Sequence, residues 1–262
     1  MLCAPAEGPL KYISVEQARR MPGLRLVLTR DVPGPWGEAA KYVFAAKKLP
    51  YTAAEQIGGG ENAELRNWTG QTSAPVAAWN DEPPVWAMSD ILELAERIAP
   101  EPALIPDDAR ERAWMYGLFR ELTGRNGLGW SLRLLMFDVN LQGAPEERTR
   151  MARRYGYFGP GAASGAATRA AQILRLLAEQ LRAQRARGSA FLVGDRLSAA
   201  DLAWAAFSNM CAPLPDADCP MSDFMRSMYS CAEPKVVAAL DPVLIEHRDR
   251  LFRDVIGLPL DF

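Results

Sequence analysis

The chain has 262 residues, more than one domain of ordinary size, so two domains are expected. Thirty lysines and arginines stand against 32 acids, a net charge of −2 with no basic run longer than two, so nothing points to nucleic acid. Although 49% of residues are apolar, no apolar run approaches the roughly 20 residues of a membrane span, and the first 23 residues carry no basic-then-apolar leader. A cytoplasmic protein with no membrane association is expected.

Residues 1–23 read as an N-terminal extension. Leu24 to Thr29 alternates well enough for a strand, closed by the loop Arg30-Asp31-Val32-Pro33-Gly34-Pro35. A helix follows over 36–48, with Pro35 suited to its first turn and Ala40, Val43, Phe44 and Ala46 as its apolar stripe. A second strand runs over 51–56. Gly58-Gly59-Gly60 opens a loop and a short helix before a third strand at 75–79. That strand begins with proline, which has no N–H for a sheet ladder and belongs at a strand's first residue, an edge or a bulge. Here Pro75 follows the polar turn Thr69-Gly70-Gln71-Thr72-Ser73-Ala74, and X-Pro is the peptide type in which a cis bond is accessible. Val85-Trp86 resumes as a short hairpin strand, and Asp90 with Glu93 forms a capping-box pattern for the next helix.

Residues 24–100 thus give βαβ, a hairpin and a helix; the proline-rich stretch 101–107 is a linker. Helical pattern dominates 108–262, clearest at 108–123, 145–156, 164–187 and 199–210. Ser198 with Asp201 starts the last of these, and Leu202 to Phe207 behind it is apolar on every side, which calls for a buried central helix. His247 reads as a solvated helix residue. Cys3, Cys211, Cys219 and Cys231 show no CxxC spacing, so no metal site is expected. Spacing alone leaves a Cys211–Cys219 bridge open, but a reducing cytosol favours free thiols.

Three segments carry a resemblance to the cytosolic glutathione S-transferases. Lys47-Lys48-Leu49-Pro50-Tyr51 is similar to that family's K-G-L-P-Y ending of the first helix. Asn67 to Val76 resembles its N-P-x-G-K-V-P segment with two extra residues, and Gly194 to Asp201 its L-x-G-x-x-x-S-x-A-D signature. The resemblance implies a thioredoxin-like α/β domain (βαβ–ββα) followed by an all-helical domain, with Pro75 as the cis-proline. It implies glutathione as co-substrate: the backbone of Ala74 would pair with the tripeptide in β-strand fashion, and Ser89 or Asp90 at a helix start would either contact the γ-glutamyl end or simply cap the helix.

The family stabilises the glutathione thiolate with a serine, tyrosine or cysteine at the position that falls here on Gly34, so the member would be atypical. Thr29, Arg30 and Trp36, or the N–H groups of Trp36 and Gly37, are the available substitutes. Tyr116, Arg120, Trp130 and Arg133 are candidates for a second-substrate pocket that would hold an apolar electrophile with an acidic handle; packing and surface charge are the alternative. The implied function is glutathione transfer to a small electrophile, in detoxification, by a homodimer. A non-catalytic ligand- or partner-binding protein of the same fold is the competing reading, and a glutathione-dependent isomerase or reductive lyase a third.

Overall fold

The computed structural model describes residues 10–262, leaving aside the side chains of residues 146–148 and 151. Cys3 lies outside the described residues. The chain forms two compact units. The first takes residues up to Ile105 together with Pro215–Met221 and Leu251–Phe262; the second takes Pro106–Leu214 with Ser222–Arg250.

The first unit is built on four strands: β1 (Tyr12–Ile13), β2 (Leu24–Thr29), β3 (Thr52–Gln56) and β4 (Val76–Trp79), in the order β1-β3-β2-β4. β2 runs parallel to β3 and antiparallel to β4, with Val27 opposite both Ala54 and Val76. Helices α1 (Val15–Arg20), α2 (Pro35–Ala46), α3 (Ala63–Thr69) and α4 (Met88–Ile98) complete it. The sheet is mixed and the order of elements thioredoxin-like. β2 is buried nearly throughout, which its Leu-x-Leu-Val-Leu run allows. Its one charged residue, Arg25, is buried because its guanidinium donates to the carbonyls of Gly23 and Asn80.

Residues 10–23, expected as an extension, are part of this unit. Ser14 and Gln17 form a reciprocal capping box that starts α1. Val15 and Ala18 then enter one apolar cluster with Val27, Ala54, Leu65 and Val76. β1 pairs in parallel with the outer side of β3, covering an edge that would otherwise be open. The expected hairpin strand at 85–86 shrinks to a single bridge between Ala77 and Val85.

The expected linker 101–107 is tied down through Ile105. The buried Lys47 ammonium contacts the Pro102 carbonyl and Glu96 Oε1, each at 2.8 Å, and Glu96 accepts from Leu104 N–H. Two strips expected in the helical domain belong instead to the sheet unit. Phe252 sets its ring edge-on to Tyr42 in α2, Leu260 N–H donates to Asp218, and Asp261 reaches Lys41.

The second unit contains α5 (Ala109–Thr123), α6 (Leu128–Asn140), α7 (Glu146–Arg153), α8 (Ala166–Ala186), α9 (Ala199–Ser208), α10 (Asp223–Tyr229), α11 (Pro234–Ala239) and α12 (Pro242–Leu251). Every residue of α9 is buried, as its all-round apolar sequence requires. Cys211, Cys219 and Cys231 are not joined in a disulfide.

Candidate functional site

At the end of β2 the chain turns through residues 30–34 into α2. Gly34 is the N-cap in an extended conformation (φ −62°, ψ 121°) and offers no side chain to the helix start. Pro35 fills N1, where its missing N–H costs nothing, so Trp36 and Gly37 stand at N2 and N3, positions whose N–H groups face out of a helix start. A β-carbon on Gly34 would meet only the Val32 carbonyl oxygen, at 4.0 Å. The space for a side chain is there and is unused.

Thr29, the strand-end hydroxyl, donates to Gln56 Oε1 at 2.7 Å. Gln56 is fully buried and turns its amide nitrogen to the carbonyls of Ile57 and Thr72, so its oxygen faces Thr29 as an acceptor. The single hydroxyl proton of Thr29 is therefore committed. Arg30 is half exposed and paired with Glu55 at 3.0 Å.

Facing this turn in the sequence of the unit is the proline loop. The Ala74–Pro75 peptide is cis, and Pro75 is buried directly ahead of β4. Two side chains that sequence reasoning passed over fix the loop. Gln56 Nε2 and Asn62 Nδ2 both donate to the Thr72 carbonyl, at 3.3 and 3.1 Å. Asn62 also donates to Ile57 and Gly60 and accepts from Ile57 N–H, which joins the glycine loop 58–60 to the proline loop. It does so from a left-handed backbone (φ 45°) that asparagine tolerates better than most residues. Its position two residues after the run Gly58-Gly59-Gly60 is the available signal. No described residue hydrogen-bonds to the backbone of Ala74, which remains half-buried.

Ser89 and Asp90 occupy N2 and N3 of α4, whose N-cap is Ala87 without a side-chain cap bond. The expected capping role of either residue is not what the structure has. Met88 is buried with Ile91 and Leu92, which draws Met88 into the helix and starts it two residues before the position a Ser89 cap would give and three before that of an Asp90 cap. Ser89 Oγ donates to Asp90 Oδ1 at 3.0 Å; the serine is half-buried and the aspartate exposed.

In the helical unit, Trp130 and Arg133 on α6 are brought together in a stack. The Arg133 guanidinium lies 4.6 Å from the ring centres of both Trp130 and Tyr155, and Arg125 covers Trp130 from 5.3 Å. Burial lowers Arg133 to about 10. Gly156 (φ 87°) lets the chain pass the indole, because a β-carbon there would sit 2.4 Å from Trp130 Cζ2. Arg120 is exposed and folds over Gly124 at the end of α5, while Tyr116 is half-buried one turn before it.

His247, expected in solvent, is 1% exposed. Its Nε2 lies 2.8 Å from Asp201 Oδ1, and Arg250 donates to Nδ1 at 3.1 Å. Asp201, fully buried, also accepts from Leu192 N–H, Ser198 N–H and Ser198 Oγ. Among the described residues no group of three or more His, Cys, Asp or Glu side chains gathers as a metal site does. No helix of the described residues is long and apolar enough to cross a membrane.

No protein-family model matches the sequence, and no curated protein does either. Solved structures do match the fold. A glutathione S-transferase domain-containing protein of Marinobacter aquaeolei aligns at TM-score 0.63 and 18% identity, over 89% of this chain and 100% of that one. A glutathione S-transferase of Methylobacterium radiotolerans, solved with glutathione sulfonate, aligns at TM-score 0.60 and 18% identity, over 91% and 97%. Ure2p in complex with glutathione aligns at TM-score 0.55 and 17% identity, over 86% of this chain and 98% of that one. The chain has the fold of the glutathione S-transferases across both of its units.

Proposed function

We propose that this protein binds glutathione at the proline loop and adds its thiolate to a small electrophile. The observation that carries the reading is the backbone of Ala74, to which none of the described residues hydrogen-bonds, ahead of a buried cis-proline and held in place through Thr72 by Gln56 and Asn62. An extended peptide completes such a strand end through main-chain bonds. The γ-glutamyl carboxylate would meet the start of α4 at Ser89 and Asp90, where helix N–H groups favour an anion although the exposed Asp90 carboxylate opposes it.

With no side chain at Gly34 and Thr29 committed to Gln56, the thiolate would be stabilised by the start of α2, through the N–H groups at Trp36 and Gly37 and the helix dipole. The thiol proton leaves to solvent, the sulfur forms a bond to the electrophilic carbon, and the leaving group departs with its electron pair. Trp130 and Arg133 are the side chains of the helical unit proposed to receive the electrophile, and a homodimer working in the cytoplasm is the assembly proposed. Loss of the hydroxyl at Gly34 favours a second reading, a non-catalytic glutathione-binding protein.

Retention on immobilised glutathione, the absorbance titration of the bound thiol and turnover of 1-chloro-2,4-dinitrobenzene test these readings together. Binding with a depressed thiol pKa and turnover supports transfer. Binding with an ordinary thiol pKa and no turnover leaves the second reading, and no retention removes both.

A further inference from the structure

The sheet unit carries a solvent-open groove of about 400 Å³ at the end of β3, between the starts of α1 and α3. Its floor is apolar: Val15 and Leu65 are buried there, and Ile57 lies along it 55% exposed. Its walls are acidic. Glu55 is engaged by Arg30 at 3.0 Å, and Arg30 also has Asp31 at 3.6 Å. Glu61 and Glu64 are exposed, and neither enters an ion pair with another described residue. Among the described residues no lysine, arginine or histidine lines the groove.

Asn62 joins this groove to the proline loop. It lines the groove and donates to the Thr72 carbonyl at 3.1 Å, two residues before Ala74. The strand order β1-β3-β2-β4 sets the direction: α4 follows β4 on one side of β2, and the groove ends β3 on the other. A peptide with its γ-glutamyl end at α4 and its cysteine at Ala74 therefore directs its glycine end toward Asn62 and the groove. There a glycine carboxylate faces Glu61 and Glu64 with no cation on the wall to offset them. An amide at that end removes the repulsion. An aliphatic amine beyond the amide lays its methylenes on Val15, Ile57 and Leu65 and keeps its ammonium among the carboxylates.

Resting on the glutathione reading, we propose that the groove takes the C-terminal end of a glutathione-like thiol whose glycine carboxyl is amidated with an aliphatic amine, and that Glu61 and Glu64 are the residues that select it.

Isothermal titration of the full chain compares three peptides: glutathione, its glycine amide, and glutathione amidated with diaminobutane. Affinity is expected to rise in that order, by about tenfold from first to last at low ionic strength, since one exposed ion pair supplies up to about fivefold. Added salt should shrink the spread, because the carboxylates that cause it are exposed. The double variant Glu61→Gln with Glu64→Gln, its fold checked by circular dichroism, should reduce the spread to about threefold or less. It should bind glutathione itself no more weakly than the wild type. Equal affinities for the three peptides, a spread unmoved by salt, or a spread kept in the folded double variant would overturn this proposal while glutathione binding stands. Failure of all three peptides to bind would overturn the proposed function, and this proposal with it.

Discussion

The hydroxyl of Thr29 points at Gln56 Oε1, 2.7 Å away, and the other end of the Gln56 amide reaches Thr72. One buried amide therefore connects the end of β2 to the proline loop, and the residue best placed by sequence to touch a sulfur works as a brace. Thr29→Val keeps the shape and removes the proton. Leaving the buried Gln56 oxygen unsatisfied should lower stability by about 1–3 kcal/mol in denaturant unfolding. The pKa of bound glutathione should stay where it was. A rise in that pKa would show that Thr29 acts on the sulfur itself.

Gly34→Ser restores the hydroxyl that the resemblance expects. The extended backbone at Gly34 suits any L-residue, and the nearest atom to a new β-carbon is 4.0 Å away, so the variant should fold with stability changed by only a few tenths of a kcal/mol. A hydrogen bond to a charged group is worth about 1.5–3 kcal/mol, so the bound thiol should titrate roughly one pKa unit lower or more. Absorbance titration of the complex measures it, and turnover of a generic electrophile should rise with the thiolate fraction.

Glu38 and Lys41 are both buried on α2, 3.1 Å apart, with Asp261 3.0 Å from the same ammonium. Burial pushes the Glu38 carboxyl above the ordinary carboxylate range, with Lys41 opposing the rise. The folded state then holds that proton more tightly than the unfolded one. The associated stability is complete below about pH 4.5 and is lost as pH climbs through the folded pKa. Lys41→Met removes the opposing cation, moves Glu38 higher still and enlarges this loss. Urea unfolding should show a deficit of about 3–5 kcal/mol near pH 8 and a clearly smaller one near pH 4.5. An equal deficit at both pH values would mean that packing, not the unpaired carboxylate, sets it.

Local signals explain which parts of this architecture the sequence discloses. The run Leu24 to Thr29, the turn into Pro75 and the Ser198–Asp201 cap each lie within a few consecutive residues, so period and capping chemistry reach them. The Ser14–Gln17 box was equally local, but its six-residue helix lies beside a two-residue strand too short to show a period. Gln56, Asn62 and the bonds of Lys41 to Asp261 depend on partners from separate elements, which no spacing announces. The start of α4 went astray for a related reason: burial of Met88 outweighed the preference of Ser89 and Asp90 for a cap.

His247 shows the same limit most sharply, since its surroundings Glu246, Arg248 and Asp249 read as a solvated face while its ring lies 2.8 Å from a carboxylate on α9. Asp201 holds four donors: two backbone N–H groups, the Ser198 hydroxyl and the imidazole. Arg250 on Nδ1 leaves Nε2 to carry the proton toward the aspartate. His247→Ala should cost about 2–4 kcal/mol, from the cavity and the lost bond to a buried charge. Asp201→Asn should cost at least as much, because the amide cannot accept on both sides. The double variant should cost less than the sum of the two, by roughly 0.5–3 kcal/mol, since the imidazole and the carboxylate share one bond. Strict additivity in a denaturant double-mutant cycle would separate the two residues and leave the Ser198 cap to hold α9 alone.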